Sequence, residues 1–184
     1  MQRYCALLRA INVGGHTVKM EQLRALFASL GFASVTTYIA SGNVIFEAPG
    51  EDAGALEDRV ERHLRQELGY DVGTFLRTTE ELAAIAGYEP FPPQDAPVHG
   101  MYVSFFKAPL SGESREKVLA LRSETDDFHV HGRELYWLCR TRLSDSPLFS
   151  GTLLAKAVGA PSTMRNVTTV RKMAAKYAGP GAHQ

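Results

Sequence analysis

The sequence is short of cysteine, of long apolar stretches and of net charge, and each shortage removes a class of protein. Cys5 and Cys139 are too few for a disulfide framework, have no C-x-x-C spacing and sit in apolar, strand-like runs, which reads as two reduced, buried thiols in a cytoplasmic protein. No apolar run approaches the roughly 18 residues that span a bilayer. The apolar start carries Arg9 in its middle and ends in Gly14-Gly15, unlike the core of a signal peptide, so no membrane partner is expected. Twenty Lys and Arg residues balance twenty Asp and Glu, which argues against a bulk polyanion binder but not against a local basic patch. Nothing matches G-x-S-x-G, H-E-x-x-H or G-x-x-x-x-G-K. His129 and His131 share a strand face but lack a third ligand at a recognisable spacing. No metal and no cofactor is therefore expected, and no residue is assigned a catalytic role.

What is present is an ordinary globular composition. The chain has 184 residues, 45% hydrophobic and 22% charged, which suits one domain or two small subdomains. A chain of this size buries roughly 70% of its unfolded surface, enough for a self-sufficient core.

Periodicity divides the chain. Tyr4 to Val13 is a nearly continuous apolar run and reads as a strand; Met20, Leu23, Leu26, Phe27 and Leu30 recur at helical spacing and stop at Gly31. Val35 to Ile39 and Val44 to Phe46 are β-prone runs flanking the turn Ala40-Ser41-Gly42-Asn43. Leu56, Val60, Leu64 and Leu68 mark a second helix, and Val72 to Arg77 a further strand. The order β-α-β-β-α-β is the ferredoxin-like arrangement, with helices on one face of an antiparallel sheet. Thr78 and Glu81 have the spacing of a capping box for a short helix.

Residues 89–98 hold four of the nine prolines and read as a linker between an N-terminal half, 1–88, and a C-terminal half, 99–184. In the second half a strand at Met101 to Lys107, a helix at Ser111 to Ser123 and a hairpin of Asp127 to Val130 with Leu135 to Cys139 repeat the pattern. A short helix at Leu153 to Val158 and a terminal amphipathic helix follow. With no eighth strand evident, the expectation is an α+β fold of two tandem ferredoxin-like halves, the second a modified βαββα copy.

Charge is uneven along this plan. Residues 1–92 carry 8 basic and 12 acidic side chains and residues 93–184 carry 12 and 8; beyond Asp145 no carboxylate side chain remains, while Lys156, Arg165, Arg171, Lys172 and Lys176 follow. On the terminal helix Arg165, Thr168, Lys172 and Lys176 form one polar stripe, with Asn166 a candidate N-cap. A guanidinium at Arg9 amid Leu7, Leu8 and Ile11 must reach water, a carboxylate or a ligand anion. Asn12, Gly14 and Gly15 follow it directly, in a turn whose backbone N–H groups are able to approach an anion.

These segments also carry a resemblance. Ala6 to Gly15, Val18 to Met20 with Leu23-Arg24, Thr37 to Val44 with Phe46, and Thr163 to Val170 with Lys172 resemble the bacterial domain-of-unknown-function 1697 family (DUF1697) over nearly the whole chain. The family pattern has Gly at the position of Ala10 and an aromatic at that of Val167. The resemblance implies an α+β fold related to paired ferredoxin-like halves, and it implies no established activity. Its strongest motifs coincide with Arg9 to Gly15, Ser41 to Asn43, and Arg165 to Lys172.

Two arrangements account for polar motifs of this kind: one composite polar site assembled from distant segments, or a polar network that holds the two halves together. The site reading takes a phosphate-bearing ligand, a nucleotide or a nucleic-acid segment, with Arg9, Arg165 and Lys172 meeting charge. Asn12, Gly14, Gly15, Ser41, Asn43, Asn166 and Thr168 then orient it. The alternatives are an enzyme acting on a small phosphorylated or carboxylated substrate in the same cleft, and a structural or protein-interaction module.

Overall fold

The computed structural model describes the chain apart from residues 13, 40–41, 95–97, 150–151 and 180–184. The chain forms two compact units, Met1–Ile85 together with Lys172–Gln184, and Ala86–Arg171. The architecture is mixed α+β, with two four-stranded antiparallel sheets and six α-helices among the described residues.

The first unit runs β1 (Gln2–Arg9), α1 (Met20–Ser29), β2 (Ala33–Thr37), β3 (Asn43–Ala48), α2 (Ala53–Leu68), β4 (Gly73–Thr78) and α3 (Thr79–Gly87), with sheet order β2-β3-β1-β4. Strand alternation sends Tyr4, Ala6, Leu8, Val44, Phe46 and Leu76 to one face, where they pack with Leu23 and Phe27 of α1 and Leu56, Val60 and Leu64 of α2. Phe46 is central, its ring stacked on Phe32 at 4.4 Å. Burying each such side chain stabilises the unit by roughly 1.5–3 kcal/mol. The second face carries Cys5, Leu7, Ile45 and Phe75, all buried as well, and there Arg3 donates to the backbone carbonyl of Tyr177.

Local signals explain the element ends. Asp52 caps α2 by accepting from the Ala55 N–H at 2.9 Å, and Gly69 ends it at φ 81°. Thr78 and Glu81 form the expected capping box, each side chain accepting from the other's N–H. β1 stops at Arg9, not at Val13, because Ala10 turns to φ 63° and Ile11 is buried from a loop.

β4 lies at the sheet's edge, and its outward N–H groups are each met by a carboxylate. Glu61 accepts from Thr74 at 2.7 Å, Glu57 from Leu76 at 2.8 Å and Glu81 from Thr78 at 2.8 Å. Glu57 and Glu61 are one helical turn apart on α2, which matches the two-residue repeat of outward groups on the strand.

The second unit runs β5 (Gly100–Phe105), α4 (Gly112–Leu119), β6 (Asp126–His131), β7 (Glu134–Cys139), a short 3-10 helix (Leu143–Asp145), α5 (Thr152–Val158) and β8 (Thr163–Asn166), with order β6-β7-β5-β8. The last helix, α6 (Val167–Tyr177), begins in this unit and supplies its residues from Lys172 onward to the first. The expected βαββα copy thus has a fourth strand after all: β8 pairs antiparallel with β5. Four residues, of which only Met164 is apolar, are too few to display a two-residue alternation, and Asn166 ends the strand while also capping α6, its Oδ1 accepting from the Thr168 N–H at 2.8 Å.

At the end of β6 a buried carboxylate organises the unit. Asp126 accepts from Trp137 Nε1 at 2.8 Å, Ser146 Oγ at 3.0 Å and Thr125 Oγ1 at 2.7 Å, with Cys139 Sγ at 3.9 Å. Burial first, then the charge and hydrogen bond of Asp126, push the Cys139 thiol up to about 12.

Two outcomes test these devices. Glu57→Ala strands the buried Leu76 N–H and lowers unfolding stability in urea by about 1–3 kcal/mol, whereas Glu57→Gln retains an acceptor oxygen and loses less. Asp126→Ala removes a charged acceptor from three donors, so stability falls by about 3 kcal/mol or more and the emission of Trp137, the sole tryptophan, changes in the folded state.

Candidate functional site

At one end of the first unit the β1–α1 loop meets the β2–β3 turn. Gly42, at φ 74°, accepts from the Leu8 N–H at 2.8 Å and lies so close to the loop that a Cβ there would sit 2.7 Å from Ile11 Cγ2 and 3.1 Å from Leu8 Cβ. Asn43 is fully buried and donates through Nδ2 to the Tyr38 carbonyl at 3.1 Å, holding the turn closed. Asn12 Oδ1 accepts from the Val18 N–H at 2.7 Å and closes the loop before α1. The two asparagines therefore shape the loops through their backbone partners.

The exposed surface of this end has a different chemistry. Arg9 is exposed, and among the described residues no carboxylate pairs with it. Gly14 and Gly15 are exposed at φ 63° and 87°, with open space where a Cβ would stand. His16 and Lys19 follow, also exposed. Lys19 occupies the N-cap position of α1 without a side-chain capping bond. The His16 ring lies flat on Tyr70, centroids 3.8 Å apart, and Tyr70 Oη donates to the Ile11 carbonyl at 3.0 Å. Burial raises the Tyr70 phenol above its ordinary value. Arg9, Asn12, Gly14, Gly15 and Asn43 thus share one end of one unit, while Ser41 lies outside the described residues.

The third motif belongs to the second unit. Arg165 is only 9% exposed on β8 and donates to Thr163 Oγ1 at 2.8 Å and to the Met164 carbonyl at 2.9 Å. Asn166 caps α6, and Thr168 is exposed on its first turn. Lys172 is exposed on the part of α6 that belongs to the first unit. Beside Thr168 a groove of about 520 Å³ runs over Met101, Leu138 and Val167. Its arginine, Arg171, is bound to Glu89 at 2.7 Å and to the Ala86 carbonyl at 3.2 Å, so this groove carries a matched pair of charges.

Other groups that the sequence brought forward have ordinary partners. His129 and His131 do share a face: Tyr88 Oη lies 2.9 Å from His129 Nε2, and its ring stacks on His131 at 4.3 Å. Burial, helped by His131, Arg115 and Arg122 against Asp127, holds the His129 imidazole below its ordinary value. Among the described residues no three His, Cys, Asp or Glu side chains gather as a metal cluster. Sequence reasoning passed over Tyr70, whose pairing with His16 spans 54 positions and leaves no local signature, and Glu57, whose signal was a carboxylate beside the apolar stripe of α2.

The close approach at Gly42 is testable. Gly42→Ala meets both a left-handed backbone and a steric clash and costs about 2–4 kcal/mol in urea unfolding, while Gly14→Ala, equally left-handed but in open space, costs about 1 kcal/mol.

Comparison with known proteins bears on this end of the chain. No curated protein matches the sequence. A solved structure, a conserved bacterial protein from Streptococcus pneumoniae, is similar over 95% of this chain and 97% of its own, with a TM-score of 0.66 at 22% identity, a likeness of fold alone. The family model described as "Protein of unknown function (DUF1697)" matches residues 1–136, which include the Arg9 to Gly15 loop and the Gly42-Asn43 turn and stop short of β8. With that match spanning well over half its length, the chain belongs to the DUF1697 family.

Proposed function

We propose that the loop end of the first unit binds a phosphate-bearing anionic ligand. The observation that carries this reading is Arg9: an exposed arginine at the end of β1, five residues before Gly14-Gly15, with no carboxylate pairing it among the described residues. Arg offers a planar fork suited to phosphate, and glycines without Cβ atoms let backbone N–H groups approach the same oxygens. Lys19 stands at the N-cap of α1, whose first turn has no N-cap side-chain bond and also carries Glu21, so Lys19 and the helix start are further donors at the end of this loop.

The remaining motif residues divide by what they touch. Asn12 and Asn43 act on the ligand through the loops they hold. For Arg165 and Asn166 the hydrogen bonds within β8 and at the start of α6 favour a local structural role. Thr168 and Lys172, both exposed, belong to the ligand reading only as further donors. An enzyme acting on a small phosphorylated substrate shares this site and its first test.

The same reading takes each unit as ferredoxin-like, supported by the strand orders β2-β3-β1-β4 and β6-β7-β5-β8. It also takes the setting as the bacterial cytoplasm, in keeping with two buried free thiols and with no helix among the described residues long and apolar enough to cross a membrane.

Thermal unfolding with increasing inorganic phosphate, at low and high salt, tests the proposal. The expected result is a concentration-dependent rise in melting temperature that disappears in Arg9→Ala, with the melting temperature of the ligand-free variant unchanged because Arg9 packs no core. Loss of its charged hydrogen bonds weakens binding by about 1.5–3 kcal/mol, roughly 10- to 150-fold. Equal shifts in the two proteins would place the anion elsewhere.

A further inference from the structure

We propose that the ligand of the Arg9 loop is a mononucleotide whose base stacks on His16. This rests on the phosphate reading above and names the rest of the molecule.

The argument begins with an aromatic plane that phosphate alone does not need. His16 is exposed yet its ring lies flat on Tyr70, with an interplanar angle of 19°. Tyr70 covers one ring face while His16 as a whole stays exposed. The platform is held from below, because Tyr70 Oη donates to the Ile11 carbonyl. That bond ties the tyrosine to the loop that follows Arg9, the last residue of β1 two positions earlier, and that carries Gly14-Gly15 just before His16. A charged fork, small residues and a flat ring therefore stand on one short segment. Stacking on a preorganised ring is how proteins take up bases without reading their edges, since every base presents a π-face.

Charge selects a small nucleotide over a nucleic acid. The first unit, residues 1–85 with 172–184, carries 11 acidic against 10 basic side chains, so it has no excess of positive charge for an extended polyanion, while Arg9 and Lys19 remain to meet a single phosphate group. The nearest acid in sequence to the platform, Asp71, lies 3.3 Å from Arg65 in an ion pair. Ile39, exposed on the turn that Gly42 docks against Ile11, offers an apolar flank at the same end of the unit.

The test compares inorganic phosphate, ribose 5-phosphate, adenosine 5′-monophosphate and a 12-nucleotide single-stranded RNA by calorimetric titration of the full chain. The expected result is that the mononucleotide binds about tenfold or more tighter than ribose 5-phosphate. His16→Ala then lowers mononucleotide affinity to the ribose 5-phosphate level, His16→Phe keeps it, and ribose 5-phosphate binds all three proteins alike. Arg9-dependent binding of phosphate and ribose 5-phosphate, with the mononucleotide no tighter, overturns the base subsite and leaves the phosphate site standing. Binding of none of the four ligands overturns both. Tighter binding of the RNA than of the mononucleotide, lost at high salt, replaces the mononucleotide with a nucleic-acid strand.

Discussion

The contact on which the loop end of the first unit depends is the seating of Gly42 on Leu8 and Ile11. It joins the turn between β2 and β3 to the loop after β1 at a distance no side chain would allow. Everything at that end is referred to it: Leu8 is hydrogen-bonded to Gly42, Ile11 receives the Tyr70 hydroxyl, and Tyr70 supports His16. A single backbone approach thus sets where the exposed guanidinium and the imidazole plane stand. The asparagines on either side, Asn12 and Asn43, spend their side chains on backbone groups, and Ile11 and Val18 anchor the first loop in the core.

The two units use different means to keep polar groups satisfied in their interiors. In the first, carboxylates from α2 and α3 are set against the edge of β4, so that a helix surface substitutes for a missing fifth strand. In the second, one carboxylate, Asp126, collects an indole and two hydroxyls beside a buried thiol. The first spreads its carboxylates one to each outward N–H, whereas the second converges several donors on a single buried carboxylate, the condition under which such a group is tolerated.

Which features were legible in the sequence follows from the range of the interactions that make them. Helices α1, α2 and α6 were readable because their apolar residues repeat every three or four positions, and the Thr78–Glu81 cap because it is local. β8 was hidden because its four residues, three of them polar, are a strand only by virtue of β5, more than fifty positions earlier. The candidate site was legible in part. Arg9, Gly14 and Gly15 stood out by residue type, whereas the buried state of Arg165 and Asn43 depends on partners that composition does not announce. DUF1697 membership rests on residues 1–136 and so describes the first unit's loops better than the last helix.

The division of α6 between the units has a consequence for how the protein is made. The first unit contains residues 1–85 and also the chain from Lys172 onward, and its Arg3 reaches the carbonyl of Tyr177 across 174 positions. A ribosome delivers those last residues only after residues 86–171 have emerged, by which time the second unit's sheet is nearly complete. The earlier-synthesised half of the polypeptide is therefore the later one to finish folding, and its closure waits on a contact between residues 174 positions apart.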